Sequence, residues 1–145
     1  MQAVIEAYAV AAAAVLGYMT VWYGSARVRK RNDLADTAWG LGFIMIAALM
    51  VLRQQPTTAR LWLVAGLVLA WGVRLAVHVY SRNRGKAEDF RYAQWRKDWG
   101  KWFLIRSYLQ VFVLQGLFML GIAASIIVVG ADGGGALGWL DALGV

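Results

Sequence analysis

Four long apolar runs, separated by short islands of charge, constrain this chain more than any other feature of its sequence. They fall at residues 7–26, 34–52, 61–80 and 108–131. Each is close to the ~20 residues that a helix needs to cross a ~30 Å hydrocarbon layer at ~1.5 Å per residue. In lipid, backbone N–H and C=O groups have to be satisfied within the segment itself, so such runs become helices. The pattern predicts an all-α fold: a polytopic membrane helix bundle of about four transmembrane helices, forming one domain over residues 1–145. Of the 145 residues, 61% are hydrophobic, against ~45–50% in soluble domains. The lipid bilayer is therefore the expected partner.

A formal charge of +7 is also what a nucleic-acid binder carries, but the basic residues sit where membrane topology puts them. Arg27, Arg29, Lys30 and Arg31 fill the first connection, and Arg82, Arg84, Lys86, Arg91, Arg96, Lys97 and Lys101 fill the third, with Arg106 just beyond. That places twelve of the fifteen cations on one side, with Arg53 and Arg60 opposite and Arg74 inside the third run. No nucleic-acid partner is expected. The positive-inside rule predicts an external N-terminus and cytoplasmic basic loops. Glu6, with no Lys or Arg before it, argues against a cleaved signal peptide. The absence of cysteine and the single histidine exclude disulfides, thiolate sites and a histidine-rich metal or haem site, so no metal is expected.

Pro56 falls in a short outer loop, where it breaks no helix. The triplet at 133–135 reads as a flexible glycine turn. In the third connection, Tyr92, Trp95, Trp99, Trp102 and Phe103 lie within an arc of roughly 100° on a helical wheel. This predicts a short interfacial helix over residues 88–103 with its aromatic rings at headgroup depth. Interfacial anchoring alone does not call for the neighbouring Asn83, Gly85, Glu88 and Asp89.

The candidate functional residues are the polar ones at membrane depth. Arg74 lies six residues from the end of its run, about 9 Å deep. Arginine at such depth either snorkels to the headgroups or serves a site. Trp71, Arg74, His78 and Arg82 recur at helical spacing and share one face, a cationic stripe suited to an anionic ligand such as nucleotide phosphates. His78 is a candidate catalyst or an ordinary interfacial histidine. Asp36, at the start of the second run, is a candidate catalytic carboxylate or a helix-terminal charge that complements the macrodipole. It shares a face with Trp39 and Phe43 and lies at the same membrane surface as Arg74, with which it could pair. Gln110 and Gln115 are expected to hydrogen-bond between helices. Signatures of soluble enzymes, such as a phosphate loop or a nucleophile elbow, are absent from the sequence.

Four motifs occur in order: Asp36-Thr37-Ala38-Trp39-Gly40-Leu41-Gly42-Phe43, Trp71-Gly72-Val73-Arg74-Leu75-Ala76, Glu88-Asp89-Phe90-Arg91-Tyr92, and Val111-Phe112-Val113-Leu114-Gln115-Gly116. Together they resemble the bacterial DUF1295 membrane proteins, relatives of the steroid 5-alpha-reductases (3-oxo-5-alpha-steroid 4-dehydrogenases). The resemblance covers almost the whole chain, and residues 140–144 look like the start of the family's next helix.

The resemblance implies a membrane oxidoreductase of the bacterial inner membrane that reduces an enone C=C bond of a lipid or steroid-like substrate with NADPH. It also implies that Arg74, Asn83, Arg84, Lys86, Trp39, Arg91 and Tyr92 contact the cofactor, although the Asn83–Lys86 stretch is spaced one residue longer than the animal Asn-Arg-Gly-Arg and ends in Lys. The family's second half, with its Arg-His-Pro-Asn-Tyr signature, has no counterpart in this sequence. The chain thus resembles the N-terminal half of such a reductase, which leaves three alternatives: a gene fragment, a split subunit whose missing half comes from a second chain, or a shortened relative. Two further readings stand beside it: a non-enzymatic small membrane protein acting as scaffold or subunit of a larger complex, and a lipid-binding module that senses anionic headgroups.

Overall fold

The computed structural model describes residues 1–132 and 137–144. Its helices are α1 (Gln2–Arg29), α2 (Leu34–Arg53), α3 (Ala59–Asn83), α4 (Phe90–Trp99), α5 (Phe103–Arg106), α6 (Leu114–Ile122), α7 (Ala124–Asp132) and α8 (Trp139–Leu143), and no strand occurs among the described residues. α1, α2, α3 and the rod from Phe90 to Ile122 are each long and apolar enough to cross a membrane. The chain is an all-helical membrane protein. The glycine triplet 133–135 lies outside the described residues.

α2 is the central helix, packed against α1, α3, α6 and α7. Small residues allow this. Ala35, Ala38, Gly40, Gly42 and Ala47 are all buried on α2, and small side chains let helix backbones approach closely in lipid. The tightest approach is Gly40 over Gly72: a Cβ on Gly72 would lie 2.6 Å from the Gly40 carbonyl oxygen. α1 buries Ala7, Ala11, Val15 and Met19, one residue every helical turn. Gly116 of α6 faces Val15 and Met19. α3 buries only Leu61, Gly72, Ala76 and Val79, so most of its surface is left open, including Trp62, Trp71, Val73 and Val77.

Hydropathy separates an interfacial helix at 88–103 from a span at 108–131, whereas the structure joins them without a coil. A turn of 3₁₀ helix at Gly100–Trp102 links α4 to α5, and Ser107–Val113 continues with wider π-type turns into α6. Gly100 adopts φ 46°, a conformation that glycine takes without a Cβ penalty. The backbone leaves helical values at Gly100, where ψ is −121°, whereas at Ala123, between α6 and α7, the i to i+4 bonds continue. Tyr92, Trp95, Trp99 and Phe103 form a continuous ladder of ring contacts, with Trp95 stacked on Trp99 at 5.1 Å. Trp102, predicted to share that arc, is exposed instead, because the 3₁₀ turn changes the angular step per residue.

The two basic connections meet at one end of the bundle in a polar knot. Asn32 Nδ2 donates to Ser107 Oγ (2.8 Å), and the Asn32 backbone N–H donates to Glu88 Oε1 (2.7 Å). Glu88 also pairs with Arg96 (3.0 Å), which donates to the Lys30 carbonyl. Arg31 grips Asp33 through two nitrogens and donates to the Lys86 and Asn83 carbonyls. The bond to Asp33 pushes the Arg31 pKa up and keeps the guanidinium charged. Asp89 caps α4 by accepting from the Arg91 N–H, and its ion pair with Arg91 holds its carboxyl below the usual range. The acidic pair that simple anchoring leaves unexplained thus has a part in the fold. Glu88 ties the two loops together, and Asp89 starts α4.

Candidate functional site

The first half of α2, the middle of α3 and the end of α6 enclose a lateral groove of about 390 Å³, lined by Asp36, Trp39, Phe43, Trp71, Leu75 and Ile122. Sequence explains how it forms. Asp36, Trp39 and Phe43 follow one another at helical spacing on the α2 flank beside Gly40 and Gly42, the glycines that bring neighbouring elements close. From α3, Trp71 reaches Phe43 edge to face at 5.4 Å, and Trp39 packs on Phe43 at 5.7 Å. The walls are therefore aromatic and aliphatic, and they suit a lipophilic ring system or chain.

Polarity is confined to one end. The Tyr92 hydroxyl, carried there by α4, donates to Asp36 Oδ1 at 3.1 Å. Trp39 Nε1 donates to Gln115 Oε1 at 2.7 Å. Tyr92 is buried and Asp36 half-buried. Three helices thus contribute two hydrogen-bonded pairs, acid with phenol and indole with amide, anchored three residues apart on α2. Such a set can present a hydroxyl proton to an oxygen placed at the polar end of the groove and resupply it from a carboxyl group.

A second recess, of about 210 Å³, adjoins the groove and is lined by Trp71, Arg74, Leu75 and His78. Trp71 and Leu75 belong to both, so they form the partition between them. Arg74 and His78 are exposed on the open flank of α3. The expected Asp36–Arg74 pair is not formed, because the partition keeps Arg74 outside while Asp36 turns to Tyr92. Arg91 is exposed and bound to Asp89.

The other expected cofactor residues lie elsewhere. Asn83 sits nine residues beyond Arg74, roughly half a turn around the α3 axis. With Arg84 and Gly85 it lines a separate cavity against Arg29 and Arg31. Lys86 has an exposed side chain, and its carbonyl accepts from Arg31. The structure therefore brings together Asp36, Trp39 and Tyr92, sets Arg74 and His78 next to them, and places Asn83 and Arg84 on the opposite flank. Sequence reading missed Gln115 as part of the site, although its membrane depth marks it. It also missed Asn32, Glu88 and Ser107 as fold determinants; their polarity is visible in sequence, but their long-range pairing is not. Among the described residues, no group of three or more His, Cys, Asp or Glu side chains is placed to hold a metal.

Residues 22–145 match the family model DUF1295, described as a protein of unknown function. No curated protein and no solved structure matches the chain.

Proposed function

The chain belongs to the DUF1295 family, and from that premise we propose that it is a membrane oxidoreductase of the steroid 5-alpha-reductase type, acting on an enone C=C bond of a lipid or steroid-like substrate with NADPH. The observation that carries the reading is the Tyr92–Asp36 hydrogen bond at the polar end of an aromatic groove. A flat lipophilic enone enters from the bilayer between Trp39, Phe43 and Trp71, with its oxygen toward Tyr92. The Tyr92 hydroxyl turns from Asp36 to that oxygen and gives it its proton, and Asp36 in its protonated form, recharged from water, returns a proton to Tyr92. NADPH, when bound, supplies the hydride that goes to the β carbon. The oxygen takes the proton, and the resulting enol tautomerises to the saturated ketone.

The residues present suit an anionic cofactor beside the groove. Arg74 and His78 line the recess that shares Trp71 and Leu75 with it, and Arg82 follows on the same stripe. A guanidinium next to an indole face binds phosphate or stacks on a planar ring. The open flank of α3 is where further helices, on this polypeptide or a second chain, would complete the cofactor pocket. The concentration of cations in two loops that touch each other supports a cytoplasmic position for both, with the N-terminus outside a bacterial inner membrane.

The test is deuteride transfer from 4-deuterated NADPH to a 3-oxo-4-ene steroid and to a long-chain enone, using protein isolated from its native membrane with any associated chain. Arg74→Ala should weaken NADPH binding, and Tyr92→Phe should abolish transfer while binding persists. A preparation that neither binds NADPH nor transfers deuterium to any enone removes the reading.

A further inference from the structure

Tyr92 and Asp36 meet at the polar end of the groove, yet the helices that carry them do not pack along each other. α4 lies against its own continuation, the 3₁₀ turn and α5, rather than along α2, and Tyr92 is its one buried residue. Apolar packing of α4 on α2 therefore does not fix the phenol relative to the acid. Among the described residues, two hydrogen bonds join the start of α4 to the start of α2. One runs from Tyr92 to Asp36 at 3.1 Å, and the other from the Asn32 backbone N–H to Glu88 Oε1 at 2.7 Å. Glu88 lies four residues before Tyr92, and Asn32 lies four before Asp36. The two bonds are thus rungs of one ladder, separated on both sides by about one helical turn.

The outer rung is braced at both ends. Asn32 is held through its side chain, which donates to the buried Ser107 hydroxyl at 2.8 Å. The Glu88 carboxylate accepts from Arg96 at 3.0 and 3.1 Å. That guanidinium in turn lies over the Phe103 ring at 4.3 Å and donates to the Lys30 carbonyl. With its side chain only 12% exposed, Glu88 meets little competition from water. Its bonds are charge-assisted, and its negative charge complements the N-terminal end of α2. We propose that Glu88 is a positioning residue for the Tyr92–Asp36 pair, an inference that rests on reading their groove as the reducing site. Glu88 does not line the groove and acts only through α4. Without the outer rung, the start of α4 hangs on the Tyr92 bond alone, and the phenol leaves its place beside the acid. A misplacement of ~1 Å is enough to cost on the order of 100-fold in rate. Glutamine at position 88 keeps the Oε1 acceptor and preserves most of the geometry.

The experiment places fluorotyrosine at position 92 of the full chain, isolated from its native membrane with any associated chain, and follows its fluorine NMR line in non-ionic detergent. Asp36→Asn should move the line, and Glu88→Ala should move it as well. Glu88→Gln and Arg60→Gln, the latter at the other end of the bundle, should leave it in place. In the deuteride-transfer assay, Glu88→Ala should lower kcat on the order of 100-fold with the enone KM unchanged, and Glu88→Gln should restore most of the rate. Glu88→Ala added to Asp36→Asn should lower kcat no further, because both changes undo one pairing. The proposal falls if the line of folded Glu88→Ala or of Asp36→Asn stays at the wild-type position. It also falls if Ala and Gln at position 88 act alike, or if the losses from Glu88→Ala and Asp36→Asn multiply. Where Glu88→Ala does not fold, Arg96→Gln takes its place. It frees the carboxylate without removing it and should move the line part of the way; an unmoved line overturns the proposal. A wild-type chain that transfers no deuterium while its line moves as expected removes the reductase reading and leaves Glu88 as the residue that positions Tyr92.

Discussion

Replacing Gly72 with alanine tests the packing that holds α2 against α3. The added Cβ would lie 2.6 Å from the Gly40 carbonyl oxygen and 2.7 Å from Ile44 Cγ1. Ordinary contact begins near 3.4 Å, so the helices have to part by on the order of 1 Å. The obstacle is partly backbone, and a rotamer change cannot relieve it. Overpacking of this kind costs about 1–3 kcal/mol, and a ~1 Å gap also forfeits up to half of the dispersion energy of neighbouring contacts. Gly66, on the same helix, has nothing within 4 Å of its Cβ position, so alanine there gains up to ~1 kcal/mol of helix propensity. Two identical substitutions six residues apart should therefore shift stability in opposite directions, with a difference of about 3 kcal/mol between them. Reversible unfolding in mixed micelles, followed by tryptophan fluorescence, measures both. Equal shifts, or an unchanged Gly72→Ala variant, would refute the argument that glycine contact sets the α2–α3 distance.

Asn32→Ala removes the donor to Ser107 and should cost about 1–3 kcal/mol in the same assay, whereas Gln110→Ala, at an exposed position, should stay within about 0.5 kcal/mol. The Arg60–Asp141 pair ties α8 to α3 at 2.8 Å and holds the Asp141 carboxyl below its usual range. Since the folded value is depressed, this contribution is present above the ordinary carboxylate value of ~3.9 and is lost as pH falls through the folded one. The protection of the α8 amides, taken relative to their intrinsic exchange rate at each pH, should fall in acid, and Arg60→Gln should remove that dependence. The chain has no cysteine, so single substitutions report sidedness cleanly. Arg27→Cys and Lys86→Cys should react with an impermeant thiol reagent from the same face and Pro56→Cys from the other; opposite labelling of the first two would overturn the topology.

Sequence alone determined the fold class, because the length and apolarity of a segment decide whether lipid or water is its better solvent, and those are local quantities. It also determined which loops share an end of the bundle, since the cations cluster in two connections that alternate along the chain. Within the site, helical spacing was enough to put Asp36 with Trp39 and Phe43, and Trp71 with Arg74 and His78. Tertiary structure decided the rest. Tyr92 reaches Asp36 across 56 residues of sequence, and Gln115 reaches Trp39 across 76. Spacing already sets Arg74 and Asn83 on opposite flanks of α3, but that the two flanks line separate cavities is visible only in the packed bundle. Such pairings depend on how helices rotate and cross, which is set by the contact of Gly40 with Gly72 and by the knot at Asn32. Periodicity identifies the residues on a helix face, but the choice of neighbour for that face belongs to the packed bundle.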